Sequence, residues 1–357
     1  MRIVITGASG NVGTALLRRL AADSAHHQVT GLCRRPPDPV PPYDHIDWVA
    51  LDLADPKAER NLEPSLRGAD AVVHLAWAFQ PSHDTDYLER LDVGGTRAVL
   101  NAADRAGVGH LVHMSSVGAY SPGPDEDRVD ESWPVNGITS LAYSEHKVAA
   151  ERLLDAYLAS QPDGMRIARM RPAFVLQRDA GSALLRYGVP GFVPAAAVRW
   201  LPVLPLDRRL VVQGVHPHDL ADAVVRVLER GSTGAFNVAA EPPLTRADFA
   251  AALRAVPIHV PAALMRGITS LTWRARLQPL DPGWIDLAFA VPLMDTGRAR
   301  SELDWQPTTD ARQALAEAVA GMAQAAGTAS PALRPRSFTD QLARLVRRGP
   351  IGSRKLP

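Results

Sequence analysis

The chain has 357 residues, enough for one large core or two unequal domains, and a formal net charge of +1. That balance gives no general reason to expect a nucleic-acid partner, and the single cysteine, Cys33, excludes an internal disulfide and suits a reducing compartment. The opening "MRIVITGASG" has no basic segment followed by a long apolar core, so no signal peptide is expected and the cytoplasm is the default location.

In chain order, "RIVIT" (2–6) reads as a strand and is followed by a helix over about residues 11–22. Between them stands "TGASGNVG", which holds Gly7, Ser9, Gly10, Asn11, Val12 and Gly13. The first glycine allows a tight turn, the second lets backbone approach a pyrophosphate, and the third permits close packing of helix on strand. The helix N-terminus adds unpaired N–H groups and a dipole suited to phosphate. Further strands are predicted at 28–33, 46–51, 71–76, 110–116 and 165–170, with helices around 57–67, 87–106 and 141–160. Such alternation predicts a Rossmann-type, doubly wound parallel α/β sheet. The end of the second strand carries Arg34 and Arg35, and no carboxylate appears before Asp38. Two guanidinium groups suit the 2′-phosphate of NADP better than a free ribose 2′-hydroxyl, although solvated loop arginines would read the same way and NAD stays open.

Within "AYSEHKVAA" (142–150), Tyr143 precedes Lys147 by four positions, in a chain with six tyrosines and three lysines. Residues four apart stack on one helix face, so the ammonium could lie beside the phenol. A neighbouring cation favours the ionised phenol, whose free pKa is about 10. An ordinary surface pair is the alternative.

After Pro172 the grammar loosens. Residues 177–209 are rich in proline, alanine and arginine, 209–231 return to strand plus helix, and 234–240 read as one more strand. We therefore expect a dinucleotide-binding domain over 1–176, rejoined by 209–240. A mostly helical substrate lobe would come from 177–208 and 241–325. A basic, flexible tail is expected over 326–357, with a short amphipathic helix at 338–346. The apolar run 191–206 is broken by three prolines and Arg199 and is too interrupted to span a bilayer, which leaves contact with a membrane surface open.

With these residues in hand, the sequence resembles the extended branch of the short-chain dehydrogenase/reductases, the NAD-dependent epimerase/dehydratase family, over roughly residues 1–325. The phosphate loop matches "TGASGNVG". The acid after strand three matches Asp52, with Leu53 beside it, and the alanine after strand four matches Ala76, preceded by Leu75. The active-site serine matches Ser116, with Ser115 its less favoured neighbour. Tyr-x-x-x-Lys is Tyr143 and Lys147, and the later Arg-Pro is Arg171-Pro172. The resemblance implies that Tyr143 exchanges a proton with the substrate oxygen during hydride transfer at nicotinamide C4. Lys147 would lower the phenol pKa and bind the nicotinamide ribose, and Ser116 would hold the reacting oxygen. Trp77, Val117 and Phe174 would join Ser116 on the substrate side, and Pro172 would lie on the cofactor side. A homodimer through the helices at 87–106 and 141–160 is also implied.

Departures narrow the substrate. Val117 and Gly118 follow Ser116 where dehydratases of this branch carry Asp-Glu, and "RPAFVLQ" lacks the asparagine of galactose-type epimerases. The candidate lining residues Trp77, Phe79, Phe174, Phe192, Trp200, Met265 and Trp273 suit an apolar carbonyl or alcohol. Arg178, Arg186 and Arg199 keep a phosphate-bearing sugar open. Asp92 stands where the branch generally has Asn and would either disturb hydrogen bonds near the cofactor or face solvent. His216, His218 and Asp219 read as packing at a helix start and not as a metal site. His110 and His113, three apart on a strand, point to opposite faces, and no metal is expected. Three functions remain: an NAD(P)-dependent oxidoreductase on an apolar small molecule, a nucleotide-sugar epimerase with tightly held NAD, and a non-catalytic dinucleotide-sensing regulator.

Overall fold

The computed structural model describes residues 1–78, 84–124, 127–188, 194–275, 277–278 and 280–335. Its first half runs β1 (Arg2–Thr6), α1 (Asn11–Ala21), β2 (Gln28–Cys33), β3 (Asp47–Ala50), α2 (Ala58–Leu66), β4 (Ala71–His74) and α3 (Thr85–Glu89). A π-helical turn, Arg90–Gly94, leads into α4 (Gly95–Arg105), followed by β5 (His110–Met114), β6 (Arg128–Val129), α5 (Ala142–Ser160) and β7 (Arg166–Pro172). The second half runs β8 (Phe174–Val175), α6 (Gly181–Gly188), β9 (Val203–Leu206), β10 (Val211–Val215), α7 (Pro217–Arg230) and β11 (Gly234–Val238). It ends with β12 (Ala240–Thr245), α8 (Arg246–Leu253), β13 (Val256–His259), α9 (Ala262–Arg274), α10 (Gly283–Ala290), β14 (Leu293–Met294), α11 (Gly297–Leu303) and α12 (Ala311–Ala323).

Seven strands form one sheet in the order β3-β2-β1-β4-β5-β7-β11, parallel throughout. The inner strands "AVVH" and "HLVHM" are buried at every residue, as strands covered on both faces must be. One core joins β1 to α1 and α7 through Ile3, Ile5, Leu16, Leu20, Val224 and Phe236. Another, on Val4, Val72 and Leu111, takes in Leu62 and Leu66 of α2 and Val99 of α4. Chain order reverses between β1 and β4, and the crevice beyond their C-terminal ends is where sheets of this kind bind ligands.

The later segments divide between two places. α7 packs on α1 and β11 pairs with β7, so both belong to the main sheet layer. β10 instead joins a three-stranded sheet with β8 and β12, around Leu210, Val212, Leu244 and Leu315. Residues 327–335, within the segment 326–357 expected to be a flexible tail, are folded. Ser330 and Leu333 are buried, and Ser330 Oγ donates to the Ser9 carbonyl at 2.6 Å. A chain poor in apolar periodicity is held here by hydrogen bonds to a distant loop. Residues 336–357, with the expected helix at 338–346, lie outside the described residues. Among the described residues, no helix is long and apolar enough to cross a membrane.

Candidate active site

Gly7 ends β1 with φ +71°, and a Cβ there would meet the Ala76 nitrogen at 2.6 Å. The turn therefore lets the ends of β1 and β4 touch, which a side chain would prevent. A Cβ on Gly13 would run into the Ala8 carbonyl, so helix α1 closes on the turn only with glycine there. At Gly10 a Cβ would meet only the Gly7 carbonyl oxygen, at 3.2 Å, and this glycine caps α1 without a side-chain hydrogen bond. Asn11, Val12 and Gly13 form the first turn of that helix.

A groove opens beside the turn, lined by Gly7, Ser9, Gly10, Arg34, Arg35, Leu53, Leu75, Ala76 and Trp77, with Pro331 and Ala332 from the C-terminal segment. A glycine cradle, a helix end without a side-chain cap and arginines at the far strand end meet in it, the kinds of group that bind phosphate. Arg34 Nη1 donates to the Tyr87 hydroxyl at 2.7 Å, while Asp52 accepts from the Ala54 N–H and does not line the groove.

The Ser116, Tyr143 and Lys147 side chains come together past β5. Ser116 Oγ accepts from the Gly118 N–H at 3.0 Å, capping a one-turn helix, Val117–Ala119, and it also hydrogen-bonds the Tyr143 phenol. Ser144 pins α5 to this turn by donating to the Gly118 carbonyl and accepting from the Ile138 N–H. Burial pushes the Tyr143 phenol up to about 12, with the Ser116 bond opposing, so it is held protonated. Lys147 is buried, donates to the Met114 carbonyl at 2.7 Å, and places Nζ 3.3 Å from the centroid of the Trp77 ring. Burial brings its ammonium down to about 7, against the pull of Asp92 and Glu151. Nζ stands 5.8 Å from the Tyr143 ring centroid and makes its hydrogen bond to Met114. The phenol is accordingly raised, not lowered as the adjacency of the two residues in sequence suggests.

Aromatic rings flank the tyrosine. Trp77 meets it edge-on at 6.3 Å between centroids, and Trp284 of α10 lies at 5.2 Å. Phe174 shares the apolar cluster of Tyr143, Trp284 and Leu287. Trp284 has no local signal in the sequence, because it arrives from a helix far along the chain. Asp92, on the π-helical turn, is buried and does not face solvent. It accepts from the Ala78 N–H at 2.7 Å and pairs with His146 Nδ1 at 3.1 Å, tying the loop after β4 to α5. Below the site, Glu151 receives Ser115 at 2.6 Å and Arg171 at 2.6 and 2.9 Å. Burial works against the Glu151 charge, but these partners outweigh it and keep its carboxyl below the usual range. Ser115 is thereby committed to structure, leaving Ser116 at the site.

Several candidates stand elsewhere. Trp200 is 78 % exposed on the surface, Met265 and Trp273 are half-buried on α9, and Phe79 and Phe192 lie outside the described residues. Arg178 donates to Gln324, Arg186 to the Ala332 carbonyl, and Arg199 is exposed, so none of the three joins the Tyr143 cluster. His216 caps α7 by accepting from the His218 N–H, and Asp219 binds the Thr308 and Thr309 backbone. Pro172 ends β7, buried.

A parallel sheet with a glycine turn at its switch point is the Rossmann-type architecture. The NAD dependent epimerase/dehydratase family matches residues 3–239, and the chain belongs to that family of NAD-dependent enzymes. An uncharacterized protein of Mycobacterium tuberculosis, Rv2047c, is 28% identical over 320 residues, covering 88% of this chain; the chain spans 29% of that relative's length. The sterol demethylase protein B of Methylococcus capsulatus is 31% identical over 239 residues, covering 60% of this chain and 70% of that protein. MoeE5, solved in complex with UDP-glucuronic acid and NAD, matches in fold with a TM-score of 0.68 at 19% identity, over 91% of this chain and 99% of that one.

Proposed function

We propose that the protein is an oxidoreductase that interconverts a carbonyl and an alcohol on an apolar small molecule, with a preference for NADP. The observation that carries this reading is the Tyr143 phenol held protonated against Ser116 between the rings of Trp77 and Trp284. Bound nicotinamide supplies the hydride donor or acceptor. Gly7, Gly10 and the first turn of α1 would hold the pyrophosphate, and Arg34 and Arg35 a 2′-phosphate. Tyr143 gives its proton to the reacting oxygen in reduction and takes it back in oxidation, while the Ser116 hydroxyl orients that oxygen.

The rings offer contact area and no charge, which favours an apolar substrate over a diphosphate sugar. The name of the sterol demethylase relative agrees with that substrate class. The arginines that kept a sugar phosphate open are engaged by the C-terminal segments or exposed, which weakens the epimerase reading. The test is to denature purified protein, identify released nucleotide by mass spectrometry, and titrate fresh protein with NADPH and NADH. Next, Tyr143→Phe is assayed on sterol and aromatic ketones, where turnover should fall by about a hundredfold or more. Stoichiometric bound NAD, or full turnover in Tyr143→Phe, would overturn the proposal.

A further inference from the structure

The large apolar side chains left exposed are not scattered. Outside one region, only Met1, Val40 and Leu158 are both large and exposed among the described residues, far apart in the chain. The rest fall on two neighbouring segments. Trp200, Leu201 and Val203 lead into and along β9, at 78, 43 and 42 % exposure. Val256 and Ile258, at 63 and 42 %, stand on β13, which pairs with β9. Leu264, Ile268 and Leu271 follow at helical spacing on α9, a helix with no buried residue, and Leu277 lies just past it. Asp207, at the end of β9, accepts the Ala262 N–H at 2.8 Å, so ribbon and helix are joined.

Charge within these segments has one sign. Arg199, Arg208, Arg209, Arg254, Arg266 and Arg274 are exposed, and the sole carboxylate across 194–209 and 254–280 is buried Asp207. We propose that this face of the β9–β13 ribbon and α9 docks on an anionic lipid bilayer. α9 has 13 residues, about 20 Å, against about 30 Å for a hydrocarbon core, and it carries Arg266 and Arg274; it lies in the interface plane and does not cross. Leucine, isoleucine and tryptophan interleaved with arginine match a lipid surface, where apolar groups enter and guanidinium groups meet phosphate. A second copy fits worse, because a two-fold contact would oppose arginine to arginine with no exposed carboxylate in these segments to pair with. The face is one layer from the chemistry: Arg266 of α9 pairs with Asp286 of α10 at 2.8 Å, and Trp284 of α10 packs on Tyr143.

The test is flotation of the full chain with vesicles of phosphatidylcholine alone or with about 30 % phosphatidylglycerol, at low and raised salt. Flotation with the anionic vesicles alone is expected, weakened by salt, with Trp emission quenched by brominated lipid. Arg199→Glu/Arg254→Glu/Arg274→Glu should lower partition about a hundredfold. Trp200→Phe should keep flotation while losing much of the quenching, which guards against a misfolded charge variant. Absence of flotation, equal flotation on neutral vesicles, or a dimer that shields Trp200 without lipid binding would each overturn the proposal. The assay requires no turnover, so its outcome is separate from that of the proposed reaction.

Discussion

Lys147 and Glu151 are one helical turn apart on α5, and burial acts on both with different outcomes. The Lys147 ammonium is brought down to about 7, below its ordinary value near 10.5. Unfolded chain therefore holds a proton that folded chain has released across that window, and stability should rise with pH between the two values. In Lys147→Met that rise should be gone, as read from denaturant midpoints over a pH series. An identical pH slope in both proteins would contradict the buried, loosely held proton. Glu151 gives a slope of the same sign in a more acidic window, because its partners favour the charged form where burial of Lys147 favours the neutral one. Its carboxyl is lowered, so its contribution is present above the unfolded value and lost as pH falls through the folded one. Glu151→Ala leaves Arg171 buried without its bidentate partner and should cost about 3–5 kcal/mol in chemical denaturation at neutral pH.

Elements meet where particular atoms permit it. A side chain at Gly13 collides with the Ala8 carbonyl, so Gly13→Val should lower stability by about 1–3 kcal/mol and abolish nucleotide binding. Calorimetry would register the first, and NADPH titration the second. The segment 327–335 is the other junction. Leu333, 2 % exposed, anchors it beside the hydrogen bond from Ser330 to Ser9. Leu333→Ala should cost about 2–5 kcal/mol and loosen the wall of the groove that Pro331 and Ala332 provide. Hydrogen exchange at Ser9 and Gly10 would report that loosening, and unchanged protection would place the segment outside the site.

At the scale of the molecule, the groove beside the glycine turn draws on β1, β2, β4 and the chain's C-terminal segment together. Ligand that binds only this assembled state stabilises all of it. NADPH at one hundred times its Kd should add about 2.7 kcal/mol by mass action, seen as a thermal shift. At equal concentration NADH should give a smaller shift, and Arg34→Ser/Arg35→Ser should erase the difference. An equal response to both nucleotides in the unaltered protein would remove the arginine argument for NADP.

Some of this was determined locally and was readable in the sequence. Gly10 and Gly13 of "TGASGNVG" answer to backbone within a few residues, while Gly7 answers to Ala76, past the end of β4; the strand-helix alternation answers to periodicity, so the fold class could be read directly. Tyr143 and Lys147 share a helix face for the same reason. What packing decided could not be read that way. Lys147 turns to Met114 and Trp77 because the ends of the neighbouring strands β4 and β5 enclose it. Trp284 reaches Tyr143 only once α10 is folded against α5, and Ser330 reaches Ser9 across 321 residues. Burial, and with it the titration of every buried group, belongs to the assembled chain, because desolvation depends on neighbours that sequence distance does not reveal.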